Sequence, residues 1–305
     1  MHKSVLLEEA VNSLCIKDNG IYVDCTLGYG GHSEEILKRI KKGKLFAFDQ
    51  DENAINYCLN KFRDYDNIEI IKSNFVNMKK ELNDRGVCKI DGILFDLGVS
   101  SVQLDEKDRG FSFHKDAVLD MRMDLSNKLT AKDVVNNYSR EELIKIFRDY
   151  GEEKYAVSIA NRIVNYRKNK EIVTTLELVD IIKSAVPFKA MRETHPARRV
   201  FQAIRIEVNN ELEVLEKAIE DAISILDKDG IISVISFHSL EDKIVKKIFK
   251  KYSEVSDELK KLPIIPDEFL PELKIIIAKI VPSDMEVNDN RRARSSKLRV
   301  AKKIK

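Results

Sequence analysis

The stretch IYVDCTLGYGGHS, residues 21–33, decides the fold. The apolar residues Ile21, Tyr22 and Val23 lead into Asp24, and a turn holding Gly28, Gly30 and Gly31 then opens a helix-like segment, residues 33–40. Strand, glycine turn and helix form the first βα unit of a ligand-binding sheet, because glycine lets backbone approach a ligand where side chains would block it. Three further apolar runs, 45–48, 68–71 and 92–95, follow with helix-like segments between them, the rhythm of a parallel sheet. After Asp96 the pattern changes, and from about residue 104 to 205 the segments read as helical, 141–150 and 152–166 among them, with no convincing strand. Strand signals resume at 231–235, preceded by a helix whose Val208, Leu212, Leu215, Ile219, Ala222 and Leu226 share one face. Gly230 is expected to end that helix and start the strand. Runs 274–281 and 298–304 are expected to close the sheet as an antiparallel pair joined by the polar stretch 283–297, and 260–271, with three of the six prolines, reads as an irregular loop. The expected fold class is α/β, with a discontinuous sheet domain, 1–105 and 206–305, interrupted by an inserted helical domain, 106–205.

At 305 residues and 43% hydrophobic content, the chain can bury a sizeable core, enough for two domains or one large domain with an insertion. Lysine and arginine number 53 against 51 acids, so the formal charge of +2 points to no partner and any basic surface must be local. Cys15, Cys25, Cys58 and Cys88 form no CxxC pair and no zinc-finger spacing, which argues against both a disulfide framework and a metal site. They read as reduced cytosolic thiols. No stretch stays apolar long enough to span a bilayer, and Glu8 and Glu9 interrupt the apolar residues near the N-terminus. A soluble, cytoplasmic protein with no membrane partner is expected.

Asp49 ends the second apolar run, nineteen positions after Gly30, where a carboxylate can accept hydrogen bonds from both ribose hydroxyls. An adenosine moiety is implied. NAD would suit this much, but the dinucleotide fingerprint wants a third glycine where this chain has Ser33. Asp24, Thr26, Gly28 and Gly30 instead suit the D-x-G-x-G-x-G pattern of class I methyltransferases, with threonine in place of the first glycine. S-adenosylmethionine is therefore the expected cofactor, although the same glycines would also serve a tight strand-to-helix turn. Asp96, followed by Leu97, Gly98, Val99, Ser100 and Ser101, ends the fourth apolar run at the sheet edge where ligands of such folds bind, or caps the next segment. Phe75 could lie against an adenine ring, although a lone phenylalanine is more often core.

The run DLGVSSVQL (96–104), with RGFSF (109–113) and LDMRMD (119–124), closely resembles the RsmH (MraW) family of ribosomal RNA methyltransferases. So do HPARRVFQAIRIEVNNEL (195–212), SFHSLED (236–242) and ARSSKLR (293–299), and the likeness runs from SVLLEEAV (4–11) to the last apolar run. The resemblance implies a Rossmann-like class I methyltransferase domain with an inserted helical domain. It implies methyl transfer from S-adenosylmethionine to the exocyclic N4 of a cytosine in the decoding centre of small-subunit (16S) ribosomal RNA, with the rRNA in the 30S subunit as partner. Carried over by motif, Gly30, Gly31 and His32 would hug the methionine end of the cofactor and Asp49 its ribose, and Phe75, Asp96 and Gln103 complete the set. Val102 stands where the family often has proline.

Transfer from a sulfonium needs no protonated leaving group, so the enzyme's main task is alignment, which can lower a barrier by roughly 7 to 11 kcal/mol. Cytosine N4 is a poor nucleophile because its lone pair is conjugated into the ring. An acceptor for one N4 hydrogen would turn that pair toward the methyl group, and Asp96 is the candidate for this role. Ser236 and His238, just past 231–235, should reach the same edge and are second catalytic candidates, with a structural histidine as the alternative for His238. Lys189, Arg192, Arg198, Arg199 and Arg205 around His195, and Arg291, Arg292, Arg294, Lys297 and Arg299 near the C-terminus, are candidates for RNA phosphates, although charge alone more often marks a solvated face. Arg109 beside Phe111 and Phe113 offers a cation and rings for an unpaired base, against core packing. His195, next to Pro196, is a substrate contact or a loop anchor. No metal is expected, because HExxH and cysteine clusters are absent from the sequence. The rival readings are a methyltransferase for small amines or protein, a dehydrogenase on a similar sheet, and a non-catalytic RNA-binding module.

Overall fold

Tyr22 and Val23 are neighbours in sequence, both are buried, and they enter opposite hydrophobic cores. The same split separates Leu45 from Phe46, Leu94 from Phe95 and Ile231 from Ile232. Successive side chains of a strand point to opposite faces, so strands apolar at every position need helices on both sides. The sequence folds accordingly into an α/β structure.

The computed structural model describes residues 4–99, 109–191, 195–256, 258–262 and 264–305. In chain order, α1 (Leu7–Ser13), β1 (Ile21–Asp24), α2 (Gly31–Leu37), β2 (Lys44–Asp49), α3 (Glu52–Lys61), β3 (Ile68–Lys72), α4 (Met78–Asp84) and β4 (Ile90–Asp96) come first. Helices α5 (Ala131–Asn137), α6 (Arg140–Asp149), α7 (Ala156–Arg167), α8 (Thr175–Ala185), the short α9 (Phe188–Met191), α10 (Ala197–Asn209) and α11 (Glu211–Ile225) follow. Last come β5 (Leu226–Ser236), α12 (Ser239–Ser253), β6 (Leu273–Ile280), α13 (Asp284–Asp289) and β7 (Lys297–Lys303). Between α12 and β6, the proline-rich stretch holds two short 3-10 turns.

The chain divides into two compact units, Met1–Gly98 with Leu212–Lys305, and Val99–Glu211. The first holds one seven-stranded sheet of order β3-β2-β1-β4-β5-β7-β6. Strands β1 to β5 run parallel, while β7 is antiparallel to β5 and β6 to β7. The strand order reverses between β1 and β4, the switch point whose carboxyl side is the usual ligand crevice of an open sheet. Asp24, Asp49, Asp96 and Ser236 end the strands β1, β2, β4 and β5 and so gather along that one edge.

Two expectations need correction. A single helix from Val208 to Leu226 is not what forms: α10 stops at Asn209, Asn210 takes a left-handed φ of 49°, and α11 then runs to Ile225. Asparagine is one of the few side chains that tolerates this conformation, and the apolar spacing stays nearly in phase across the break, so periodicity does not register it. Gly230 likewise does not divide helix from strand. It lies inside β5, which starts at Leu226 and pairs Ile90↔Leu226 and Gly92↔Ile231 across a register shift.

The helical unit has its own core, to which Leu119, Val134, Phe147, Ile159, Ile182 and Ile204 contribute. Its helices begin where polar side chains close their first turns. Thr130 and Ser139 form capping boxes with Asp133 and Glu142, and Thr174 caps α8. An isolated bridge, Val118↔Thr174, is the β pairing of the described residues in this unit. No helix among the described residues is long and apolar enough to cross a membrane.

Candidate active site

The turn after β1 is built on Asp24, which is 1% exposed. Its Oδ1 accepts from the Thr26 backbone N–H at 3.0 Å and its Oδ2 from the Ser33 hydroxyl at 2.6 Å. Ser33 therefore stands at the third glycine position of the dinucleotide pattern for a reason: it ties α2 to the end of β1. Thr26, which replaces the first glycine of the methyltransferase pattern, accepts the Asp96 backbone N–H on its hydroxyl at 2.7 Å and so links the ends of β1 and β4. Both roles escaped the sequence reading.

The glycines of the turn serve two purposes. Gly30 has φ +72°, and a Cβ there would lie 2.5 Å from the Phe62 ring, while one on Gly31 would collide with Ser4. These two are small because protein packs behind them. Gly28 also has a positive φ, +50°, but a Cβ there would meet nothing nearer than 3.9 Å among the described residues, so its side of the loop is open to them. Behind the loop, Lys61 Nζ donates to the Tyr29 and Gly30 carbonyls at 3.1 and 3.3 Å.

Asp49 accepts the Gly28 N–H at 2.8 Å on Oδ2 and the Asp51 N–H at 2.9 Å on Oδ1. Loss of water around this half-buried carboxyl outweighs those bonds and raises its pKa to about 6. A carboxylate offers about four lone-pair positions, so acceptor capacity remains for a ligand hydroxyl.

Asp96 differs from its neighbours. Its Oδ1 is buried and has no hydrogen-bond partner among the described residues, and its Oδ2 lies 3.6 Å from His32 Nδ1. Burial, with the Asp24 and Glu241 carboxylates nearby, pushes its pKa well above the usual carboxylate range. A buried polar atom without a partner is costly, so this oxygen marks a place for an incoming donor.

At the end of β5 the polar groups are engaged except His238 Nε2, which is buried without a hydrogen-bond partner among the described residues. Ser236 is 2% exposed, and its hydroxyl makes a long, 3.5 Å bond to the Lys297 carbonyl. His238 is the N-cap of α12: its Nδ1 accepts the Glu241 N–H at 3.5 Å, while Glu241 Oε2 accepts from the Phe237 and His238 N–H groups at 2.7 and 3.2 Å. Its Nε2 sits 3.0 Å from Glu241 Oε1, off the hydrogen-bond direction. Glu241 and Asp242, which the sequence reading gave no role, organise this corner. Asp242 pairs with Lys297 at 2.9 Å and Arg299 at 2.7 Å. The S/H-x-x-E capping spacing in SFHSLED was the signal available for the first of these.

Phe75 is half-buried in a 3-10 turn, its ring edge-on to Phe95 at 5.7 Å. Gln103 lies outside the described residues, as do Ser100, Ser101 and Arg192. In the helical unit Arg109 is 8% exposed and donates to the Arg122 and Met123 carbonyls at 3.0 and 3.2 Å. His195 stacks on Phe113 at 4.6 Å, its Nδ1 accepts the Ala197 N–H, and burial followed by His114 and Lys183 lowers its pKa. It borders a cleft with Lys154, Tyr155 and Arg199. Arg198 is exposed, as are Arg291 and Arg294 at the C-terminal 3-10 turn.

A family model described as the MraW methylase family matches residues 1–304. Among solved structures, an rRNA methylase from Streptococcus thermophilus is 12% identical, with 100% of this chain and 99% of that one covered and a TM-score of 0.47. An rRNA-methylase structure from Clostridium thermocellum is 14% identical over 100% of both chains, with a TM-score of 0.46. A methyltransferase from Streptococcus mutans in complex with SAH is 13% identical over 100% of both chains, with a TM-score of 0.45.

Proposed function

Because the chain belongs to the MraW methylase family, and is thus an S-adenosylmethionine-dependent methyltransferase, we propose that it methylates the exocyclic N4 of a cytosine in the decoding centre of 16S ribosomal RNA. The 30S subunit is its partner in this reading, and the cytoplasm its place. One observation carries the amine part: the buried Oδ1 of Asp96, without a partner among the described residues, at the switch point of the sheet. The polymer and the base come from the likeness of the blocks 96–104, 109–113, 195–212 and 236–242 to those of the family.

The residues present fit the cofactor. Among the described residues, the Gly28 side of the turn is open and Asp96 keeps an oxygen without a partner, while Asp49 keeps acceptor capacity. When bound, S-adenosylmethionine supplies a methyl group made electrophilic by a sulfonium sulfur. Gly30, Gly31 and His32 are assigned to its methionine end, Asp49 to the ribose hydroxyls, and Phe75 and Gln103 to the remaining contacts. Asp96 takes a hydrogen bond from the cytosine amine, which turns the nitrogen lone pair out of conjugation. It then accepts the proton that the nitrogen sheds on gaining the methyl group.

Ser236 and His238 are assigned to holding this edge in shape, since the Ser236 hydroxyl meets the Lys297 carbonyl and His238 Nδ1 caps α12. The sheet unit is the cofactor-binding domain and the helical unit the substrate-recognition domain in this reading. Arg198, Arg291 and Arg294, exposed, are assigned to phosphates, whereas Arg109 and Lys297 are held by backbone carbonyls and by Asp242. Mass-spectrometric mapping of small-subunit rRNA after reaction with the purified protein tests the proposal. A single N4-methylcytosine is the expected product, and labelling of peptides or small amines with unmodified rRNA would overturn it.

A further inference from the structure

The ring of His32 is 4% exposed. Its Nε2 lies 3.2 Å from the Val5 carbonyl oxygen. A carbonyl can only accept, so Nε2 carries the hydrogen, and the ring is left with Nδ1 facing Asp96 Oδ2 at 3.6 Å. That separation is longer than a hydrogen bond but within reach of an ion pair. Catalytic contacts are often this loose before substrate arrives.

Three titratable groups among the described residues lie near Asp96: Asp24 from the end of β1 and Glu241 from α12, which raise its pKa, and His32 from α2, whose Nδ1 is 3.6 Å away. Two of these are acids that oppose its ionisation, and His32 is the one that can carry a positive charge.

We propose that His32 is the positioning residue of Asp96: anchored by the Val5 carbonyl, its ring presents Nδ1 to Oδ2, so that Oδ1 is the oxygen offered to the amine. Any proton shared by the pair lies between Nδ1 and Oδ2, which leaves Oδ1 an acceptor. The segment before α1 thereby gains a purpose, since Val5 fixes the ring and Ser4 packs on Gly31 beside it. The inference rests on the reading of Asp96 as the amine's acceptor.

Two variants of the full-length protein test it, His32→Phe and His32→Gln. At saturating cofactor and rRNA, His32→Phe should lose turnover on the order of 100-fold, over and above any change in cofactor Kd by calorimetry. Glutamine, which can still donate to Oδ2, should recover part of the loss. The pH at which turnover is half-maximal should rise by about one unit or more in both variants, because a partly positive neighbour has gone. Unchanged turnover, or a loss confined to cofactor Kd, would overturn the proposal. Should the variants fail to fold, NMR of the intact histidine decides: the pH at which its ring signals change should fall by about one unit or more in Asp96→Asn, and an unmoved titration overturns the coupling. Near-normal turnover of Asp96→Asn would defeat the acceptor reading separately, because the NMR comparison reports the coupling whichever way that result falls.

Discussion

The ends of β4 and β5 are neighbours in the sheet, with Asp96 paired to Ile235 in register, yet their polar side chains are treated differently. At the end of β5, Ser236 and His238 are met by the Lys297 carbonyl and by a capping box with Glu241. At the end of β4, Asp96 keeps a buried oxygen without a partner among the described residues and a raised pKa. Position at the sheet edge is common to both. What separates them is the neighbour of the unmet atom: His238 Nε2, also buried without a hydrogen bond, lies 3.0 Å from the Glu241 carboxylate, whereas Asp96 Oδ1 has no partner among the described residues, and a fold tolerates such an acceptor only at a cost.

Substitutions at the two ends should therefore give opposite readouts. Asp96→Asn keeps the shape but loses the proton acceptor, and turnover should fall by about 10²- to 10⁴-fold in a single-turnover assay with thermal stability little changed. In the unsubstituted protein, turnover should fall with pH from a point well above the ordinary aspartate range, since protonation removes the acceptor. An intermediate effect is expected at the end of β2. Asp49, with its pKa of about 6, loses an anionic acceptor as pH drops through that value. Calorimetric cofactor affinity should weaken there by roughly tenfold or more, the worth of a hydrogen bond to a charged group. Asp49→Asn should abolish that pH dependence. The smallest effect belongs to the end of β5: His238→Ala should cost about 1 kcal/mol of stability by loss of the cap, read as a lower melting temperature, with turnover nearly intact. A collapse of turnover in His238→Ala with unchanged melting temperature would erase the contrast.

Much of the sheet was legible because its strands are apolar on both faces and are punctuated by glycine and acids. Six of the seven strands fall within a few residues of the apolar runs that announced them, and β5 begins earlier, at Leu226. The break at Asn210 was not legible, since a single left-handed residue leaves the side-chain periodicity almost undisturbed. Asp24, Asp49 and Asp96 were legible as edge acids because each ends an apolar run. Their division of labour was not. The Thr26 hydroxyl that reaches the Asp96 backbone is separated from it by 70 positions, and the Val5 carbonyl beneath His32 by 27.

By itself, the sequence determined the kinds of element, the cofactor turn and the family, because these depend on local propensity, periodicity and motif blocks. Only the tertiary structure decided which edge residues are spent on structure. Donors and acceptors from distant segments meet only once the sheet has closed, and that meeting satisfies Asp24 and Ser236 while leaving Asp96 Oδ1 without a partner among the described residues.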